Sequence, residues 1–486
     1  MRLPNGLDYL PESKRLFSSN ILNEIGSLSI VKSVTLVGSF CSSPGIGGIS
    51  DIDTVVVVEK VDQAGFELIK EVAKKAADPS LIGLPEHTLV INSSFGPLKF
   101  DTAKCIVLHL MIYDIKGHRK HVLESPFTCY DWERSPVYFG DSLQDIYPVL
   151  KLQPTHFSSA RRGLADYLED IEKGSISYRQ YEFSDVGDVA EKKHEHILDS
   201  RHKGEYAYHI IHNLLLNYAK LIHGENLDWC LDDLCSFWRE HLSVTRKGIP
   251  EFIEITQKKD QREEIFPETA IPLAQDVIHE FSTKFENDWG STTNSLYLVR
   301  HGLTELNDGS FLGQGRNPPL TSKPPPCESD CADCFASPLL RATESASSWF
   351  PDMDVTHDSR LLEIDYGHAE GLNIGDLASR FPDVVSSWNR GVDSPFPEGE
   401  SSRDVLNRLL SFLDSQLLKE GPIWAFTHNV VMRVAIGHFL SLPMQVWYRI
   451  PVEHLDPVEL KRYRKRYYLN LTKKQRARIT DQLTGL

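Results

Sequence analysis

Leu296-Tyr297-Leu298-Val299 is a short apolar run that stops on Arg300, His301 and Gly302. A run of this length reads as a buried strand. Its charged end puts a guanidinium beside an imidazole at the carboxyl edge of a sheet, where the sites of α/β proteins form. Arginine can grip a phosphate through paired charge-assisted hydrogen bonds, and histidine can attack phosphorus as a nucleophile. Asn307 follows closely, and Thr427-His428-Asn429 closes a second apolar run much later.

Other segments extend the same chemistry. They are Arg300–Asn307, Ala336–Ala346 with Arg341, Leu361–Gly371 with Glu363, Pro397-Glu-Gly-Glu-Ser401, and Thr427–Arg433 with His428. Five such segments in this order, over about 294–450, resemble the histidine phosphatase (phosphoglycerate mutase-like) superfamily. The resemblance implies an α/β/α fold and phosphomonoester hydrolysis. A phosphoryl group spreads its charge over three oxygens and needs several fixed donors. Arg300, Arg341, His428 and the amide of Asn307 are the candidates. His301 is the expected nucleophile, becoming a phosphohistidine. Glu363 is the expected proton donor to the leaving oxygen and then the base for water. No metal is required by this chemistry.

A second candidate site lies near the other end. Val34–Val37 reads as a strand entering a Gly38-Ser39 turn, and a Gly/Ser/Pro-rich loop runs from Cys41 to Ser50. Asp51-Ile-Asp53 then opens a run of β-branched residues. Strand alternation places Asp51 and Asp53 on one face. There they repel unless a cation sits between them, and Mg²⁺ favours such oxygen sites. This arrangement resembles the DNA polymerase β-type nucleotidyltransferase superfamily. The resemblance implies Mg²⁺ (or Mn²⁺) on Asp51 and Asp53, and an NTP held by Gly38 and Ser39. It also implies a third carboxylate on a later strand. Asp101, inside the segment 97–102, is preferred over Asp114, which ends its strand and is a candidate turn cap.

Residues 150–290 read as mostly helical, with helices expected near 158–170 and 205–223 and a polar connection over 173–202. His194, His196, His209 and His212 lack metal-ligand spacing and read as solvated helix residues. A polar linker near 288–294 completes the division: 1–150 nucleotidyltransferase sheet, 151–290 helical extension, 291–486 phosphatase. The expected fold class is a multidomain α/β protein, with an α+β front and an α/β/α C-terminal domain.

Composition sets limits. The chain has 486 residues and a formal charge of −16, which argues against broad nucleic-acid or membrane-surface binding. No apolar stretch is long enough to cross a bilayer, and the N-terminus lacks a signal-peptide core. Its 8 cysteines follow no disulfide-like pattern. The expected location is the cytoplasm. Cys327, Cys331 and Cys334 offer three thiols where a structural zinc wants four ligands, and Cys334 reads as strand core. Residues 458–486 are basic: a solvated amphipathic helix, a dock on the acidic body, or an RNA or phosphate contact.

The combined expectation is a bifunctional enzyme. It would transfer a nucleotidyl group from an NTP to a small acceptor and hydrolyse a phosphorylated small molecule. Two alternatives remain open: a phosphatase governed by a non-catalytic NTP-binding domain, and an RNA-end processing enzyme. Oligomeric state is open.

Overall fold

The computed structural model describes residues 3–42, 45, 51–96, 105–159, 161, 163–184, 187–224, 227 and 229–485. The expected third carboxylate, Asp101, lies outside them. The chain forms two compact units, Met1–Leu152 with His156–Lys284, and Gln153–Thr155 with Phe285–Leu486.

The first unit is built on a five-stranded sheet: β1 (Val31–Val37), β2 (Asp51–Val58), β3 (Thr88–Asn92), β4 (Cys105–Asp114) and β5 (Tyr138–Gly140), in the order β3-β4-β2-β1-β5. β4 runs parallel to β2 and β3, while β1 is antiparallel to β2 and β5. Its strands are nearly continuous β-branched and aliphatic runs because both faces are covered. On one face Val34, Leu36, Ile52, Val56 and Ile106 meet Phe17, Ile21 and Ile25 of helix Glu12–Gly26 and Phe66 and Ile69 of helix Gln63–Ala76. On the other, Val37, Val55, Val57, Met111 and Tyr113 pack with Phe95 and Leu143. The alternation follows the two-residue strand period.

The helical reading of 150–290 holds for most of its length, with helices Leu164–Lys173, Ser200–His223, Leu231–His241, Ile249–Asp260 and Ala270–Phe285. The polar connection over 173–202 is a correction. It is an antiparallel hairpin, β6 (Ser175–Phe183) and β7 (Val189–Ile197). Tyr181 and Phe183 pack on the sheet's core, while Arg179 pairs with Glu191 and Tyr178 stacks on His194 across the strands. Such cross-strand pairs stabilise a hairpin whose composition alone reads as loop. Of the four histidines, His194 and His196 therefore sit on a strand, and only His209 and His212 on a helix.

The second unit carries a six-stranded sheet: β8 (Ser295–Arg300), β9 (Asp333–Ala336), β10 (Val355–His357), β11 (Ile423–Thr427), β12 (Val458–Tyr463) and β13 (Arg466–Asn470), in the order β10-β9-β11-β8-β12-β13. The first four are mutually parallel and the last two antiparallel. Val299, Cys334, Ala336, Trp424 and Phe426 face Ala342 and Ala346 of helix Leu340–Trp349. Phe335 meets Phe412 of helix Ser402–Gln416 on the opposite face. The crossover from β8 to β9, residues 301–332, forms no helix; its Cys327 and Cys331 pack on the core instead. Cys334 is buried within β9, as its sequence context suggests.

The basic C-terminal segment is a second correction to the amphipathic-helix reading. Only Lys473–Thr484 is helical; residues before it are β12 and β13, built into the sheet. Several cations there are structural. Arg462 donates to the carbonyls of Gln416, Thr293 and Gly421, Lys461 to Ser291, and Arg476 to Leu471. Buried carbonyls left by loops and helix ends need donors, and these side chains supply them. Among the described residues, no helix is long and apolar enough to cross a membrane.

Candidate active sites

In the second unit, register brings the charged residues to one edge. β8 and β11 pair in parallel with Arg300 opposite Thr427, and the His301 N–H donates to the Thr427 carbonyl at 3.0 Å. His301 and His428 thus leave adjacent strand ends side by side, their ring centroids 5.1 Å apart. His428 is also the N-cap of helix Asn429–Phe439.

His301 is buried, and its Nδ1 lies 2.6 Å from the Gly302 carbonyl. A carbonyl only accepts, so Nδ1 carries the hydrogen and Nε2 presents the lone pair. Arg341, fully buried, donates its Nε–H toward that Nε2 at 3.3 Å. The rest of its guanidinium is braced by the Gly313 and Arg316 carbonyls. Burial, then the Arg341 charge, holds His301 well below the usual imidazole range, so the ring is neutral at pH 7. The same two causes act on His428. Arg300 donates to the Val452 carbonyl at 2.7 Å, while its Nε and both ring nitrogens of His428 are buried with no hydrogen-bond partner among the described residues. Burial lowers Arg300 to about 10, which still leaves it cationic. Unmet buried polar groups are costly, so this cluster suits an incoming anion.

Glu363 is buried beside the cations. Burial pushes its carboxyl up, against the opposing pull of the Ile364 and Val430 N–H groups, Arg341 and Arg300. Arg408 donates to the carbonyls of Leu362 and Glu363 and pairs with Glu400, the second acid of Pro-Glu-Gly-Glu-Ser. That motif therefore anchors the glutamate's segment. Gly399 has no room for a Cβ, which would meet the Asp365 carbonyl at 2.3 Å. Asn307 is exposed; its side-chain oxygen accepts from the Thr304 N–H at 2.7 Å, which leaves its NH₂ for other partners. Sequence reasoning missed His454. Its Nδ1–H donates to the His301 carbonyl at 2.6 Å, and the two rings are 5.4 Å apart. Nothing in Val452-Glu-His-Leu-Asp456 signals this.

In the first unit, β1 and β2 pair with Val37 opposite Asp53, so the Gly38-Ser39 turn begins beside the carboxylates. Gly38 has φ +76°, and a Cβ there would lie 2.6 Å from Asp53 Oδ2. Ser39 opens a single helical turn, Ser39–Ser42, tied down by Lys14 Nζ donating to the Phe40 carbonyl at 2.6 Å. Asp51 and Asp53 open β2, and β4 brings His109 opposite Asp53. Nδ1 of His109 is 2.8 Å from Asp53 Oδ1, and its Nε2 is 2.8 Å from the Ser94 carbonyl. Burial works against a charge on His109, but the hydrogen bond and charge of Asp53 outweigh it and raise its pKa. One ligand atom each from Asp51, Asp53 and His109 lie within 4.8 Å of one another, a donor set that fits a divalent ion. Asp114 is not part of it. It pairs with Val58 at the other end of β2 and caps helix Ile115–Glu124 through the Gly117 N–H at 2.6 Å. The sequence reading missed His109, which sits inside the apolar run Ile106–Met111.

Residues 327–474 match the histidine phosphatase superfamily (branch 1). The chain is 30% identical over 164 residues to a 6-phosphofructo-2-kinase/fructose-2,6-bisphosphatase of Caenorhabditis elegans, covering 31% of this chain and 35% of that protein. It therefore spans about a third of that relative. It is 33% identical over 142 residues to a 2,3-bisphosphoglycerate-dependent phosphoglycerate mutase of Methylobacterium sp. (strain 4-46), 25% of this chain and 67% of that one. With a protein of the same name from Rhizobium etli the identity is 32% over 162 residues, 29% of this chain and 77% of that one. Through this segment the chain belongs to the histidine phosphatase superfamily, and its C-terminal unit is a phosphatase-type enzyme domain.

Proposed function

We propose that the C-terminal unit hydrolyses phosphomonoesters of a small molecule through a phosphohistidine. The observation that carries this is the unprotonated Nε2 of a neutral, buried His301, faced by the Arg341 Nε–H and set among Arg300 and His428. Nε2 attacks phosphorus as the ester P–O bond breaks, and the raised carboxyl of Glu363 gives its proton to the departing oxygen. Water then attacks the phosphohistidine, returns a proton to Glu363 and releases phosphate. Asn307 adds a donor at the phosphate. The test is to quench the full-length protein during turnover of a ³²P-labelled ester. An acid-labile, base-stable label, absent in His301→Ala, is the expected result. No trapped label during steady turnover would defeat the proposal.

For the N-terminal unit the proposed reaction is metal-dependent nucleotidyl transfer from an NTP to a small acceptor. Gly38 and Ser39 would meet the triphosphate, and Asp51 and Asp53 would hold the ion, with Asp101 as a further candidate carboxylate. A divalent ion here would offset charge on the α-phosphate, and the acceptor's hydroxyl or phosphate oxygen would attack its phosphorus as the bond to the β-phosphate breaks and pyrophosphate leaves. The support is the approach of the Gly38 turn to Asp53 beside Asp51. Incorporation of label from an α-³²P NTP into a metabolite pool tests it. A cytoplasmic setting suits both substrates.

A further inference from the structure

The carboxylate pair in the first unit has a third neighbour whose geometry is fixed from both sides. His109 lies opposite Asp53 across β2–β4 and opposite Asn92 across β3–β4. Asn92 Oδ1 accepts from the Ser94 N–H at 3.0 Å and from its hydroxyl at 2.7 Å, which holds the Ser94 carbonyl in place. That carbonyl, 2.8 Å from His109 Nε2, can only accept, so Nε2 carries a hydrogen. Nδ1 is the nitrogen turned toward Asp53 Oδ1, at 2.8 Å. Asp51, Asp53 and His109 each offer one ligand atom, and the three atoms lie within 4.8 Å of one another, a spacing that one ion can bridge. Histidines that bind metals characteristically donate their other N–H to a backbone carbonyl, which fixes the ring. Gly38 lies against the same carboxylate: in its left-handed turn a hypothetical Cβ would stand 2.6 Å from Asp53 Oδ2.

We infer that His109 Nδ1 is the third protein ligand of this site, making an Asp51-Asp53-His109 set that prefers a first-row transition ion over Mg²⁺. The inference deepens the transferase reading and rests on it for the ion's purpose. Mg²⁺ keeps to oxygen ligands and dehydrates reluctantly, whereas transition ions accept imidazole alongside carboxylates.

The test uses the full chain and MnCl₂ with no nucleotide, reading the bound ion by pulsed electron paramagnetic resonance. The expected result is nitrogen modulation from one imidazole, and retention of the ion against about a tenfold excess of MgCl₂. His109→Gln should lose the modulation and bind Mn²⁺ ~10-fold or more weakly, since even outer-sphere losses cost that much. Its melting curve checks that it folds. If it does not, loss of the modulation in Asp53→Asn serves as the second reading. Bound Mn²⁺ without nitrogen modulation, or equal affinity in a folded His109→Gln, overturns the inference and leaves the transferase reading on two carboxylates. A nitrogen-ligated ion in a chain that transfers no nucleotide upholds the inference and sinks the transferase reading.

Discussion

The two units gather charge of opposite sign at the edges of their sheets. At the β8–β11 edge the protein supplies the cations itself: Arg300 and Arg341 flank a neutral imidazole, and among the described residues Arg300 Nε and the ring nitrogens of His428 are buried with unmet hydrogen bonds. At the β1–β2 edge it supplies anions, Asp51 and Asp53, half-buried and gathered with one imidazole. A site of the first kind meets an anion directly. A site of the second kind meets one only through a metal. The contrast predicts different responses to the same perturbations.

The largest effects should come from removing the central group of either site. His301→Ala should abolish phosphate release while leaving nucleotidyl transfer untouched, and Asp51→Asn or Asp53→Asn should do the reverse. Assays of both reactions on each variant check this, and loss of both reactions in a folded His301→Ala would break the comparison. Next, Glu363→Gln should slow hydrolysis of alkyl phosphates ~10²–10⁴-fold, the usual contribution of a positioned acid. It should matter less for a nitrophenyl ester, whose oxygen leaves unaided. The pH profile sharpens the point. Glu363 must be protonated to act and its pKa is raised, so activity falls as pH rises through that raised value. His301 must be neutral and is held low, so activity persists well below pH 6.5. The alkaline fall should vanish in Glu363→Gln; if it persists there, another group is the acid.

Smaller effects concern the frame. Gly38→Ala combines a left-handed backbone with a Cβ pressed on Asp53, and should destabilise by ~1–2 kcal/mol while weakening metal binding more than it lowers melting. Arg462→Met should lower stability by ~1–3 kcal/mol by stranding buried carbonyls, with the KM of each reaction unchanged. A shifted KM would show that the C-terminal strands do more than close the sheet.

The phosphatase edge was largely legible in the sequence because each of its groups sits in a short motif at a strand or helix end. Arg300, His301, Arg341, Glu363 and His428 converge as the motifs suggest. His454 was not legible, since a loop brings it to the His301 carbonyl without periodicity or motif. The other edge was half legible. Asp51 and Asp53 announce themselves by alternation, but His109 is hidden in an apolar strand, where one polar residue looks like a packed exception. Asp114 is resolved as a helix cap, while Asp101 lies outside the described residues. Composition misled twice. The polar stretch before Ser200 is a hairpin stabilised by cross-strand pairs, and the basic C-terminal run spends several of its charges on buried carbonyls.

The central claim is that one chain holds a phosphate site made of its own cations and another that needs a borrowed one. The most direct measurement treats the full-length protein with a chelator, assays both reactions on the same sample, and then restores Mn²⁺ or Mg²⁺. The account predicts that nucleotidyl transfer disappears and returns with the ion while phosphate release is unchanged throughout. Phosphate release that stops with the chelator, or transfer that continues without metal, would contradict it.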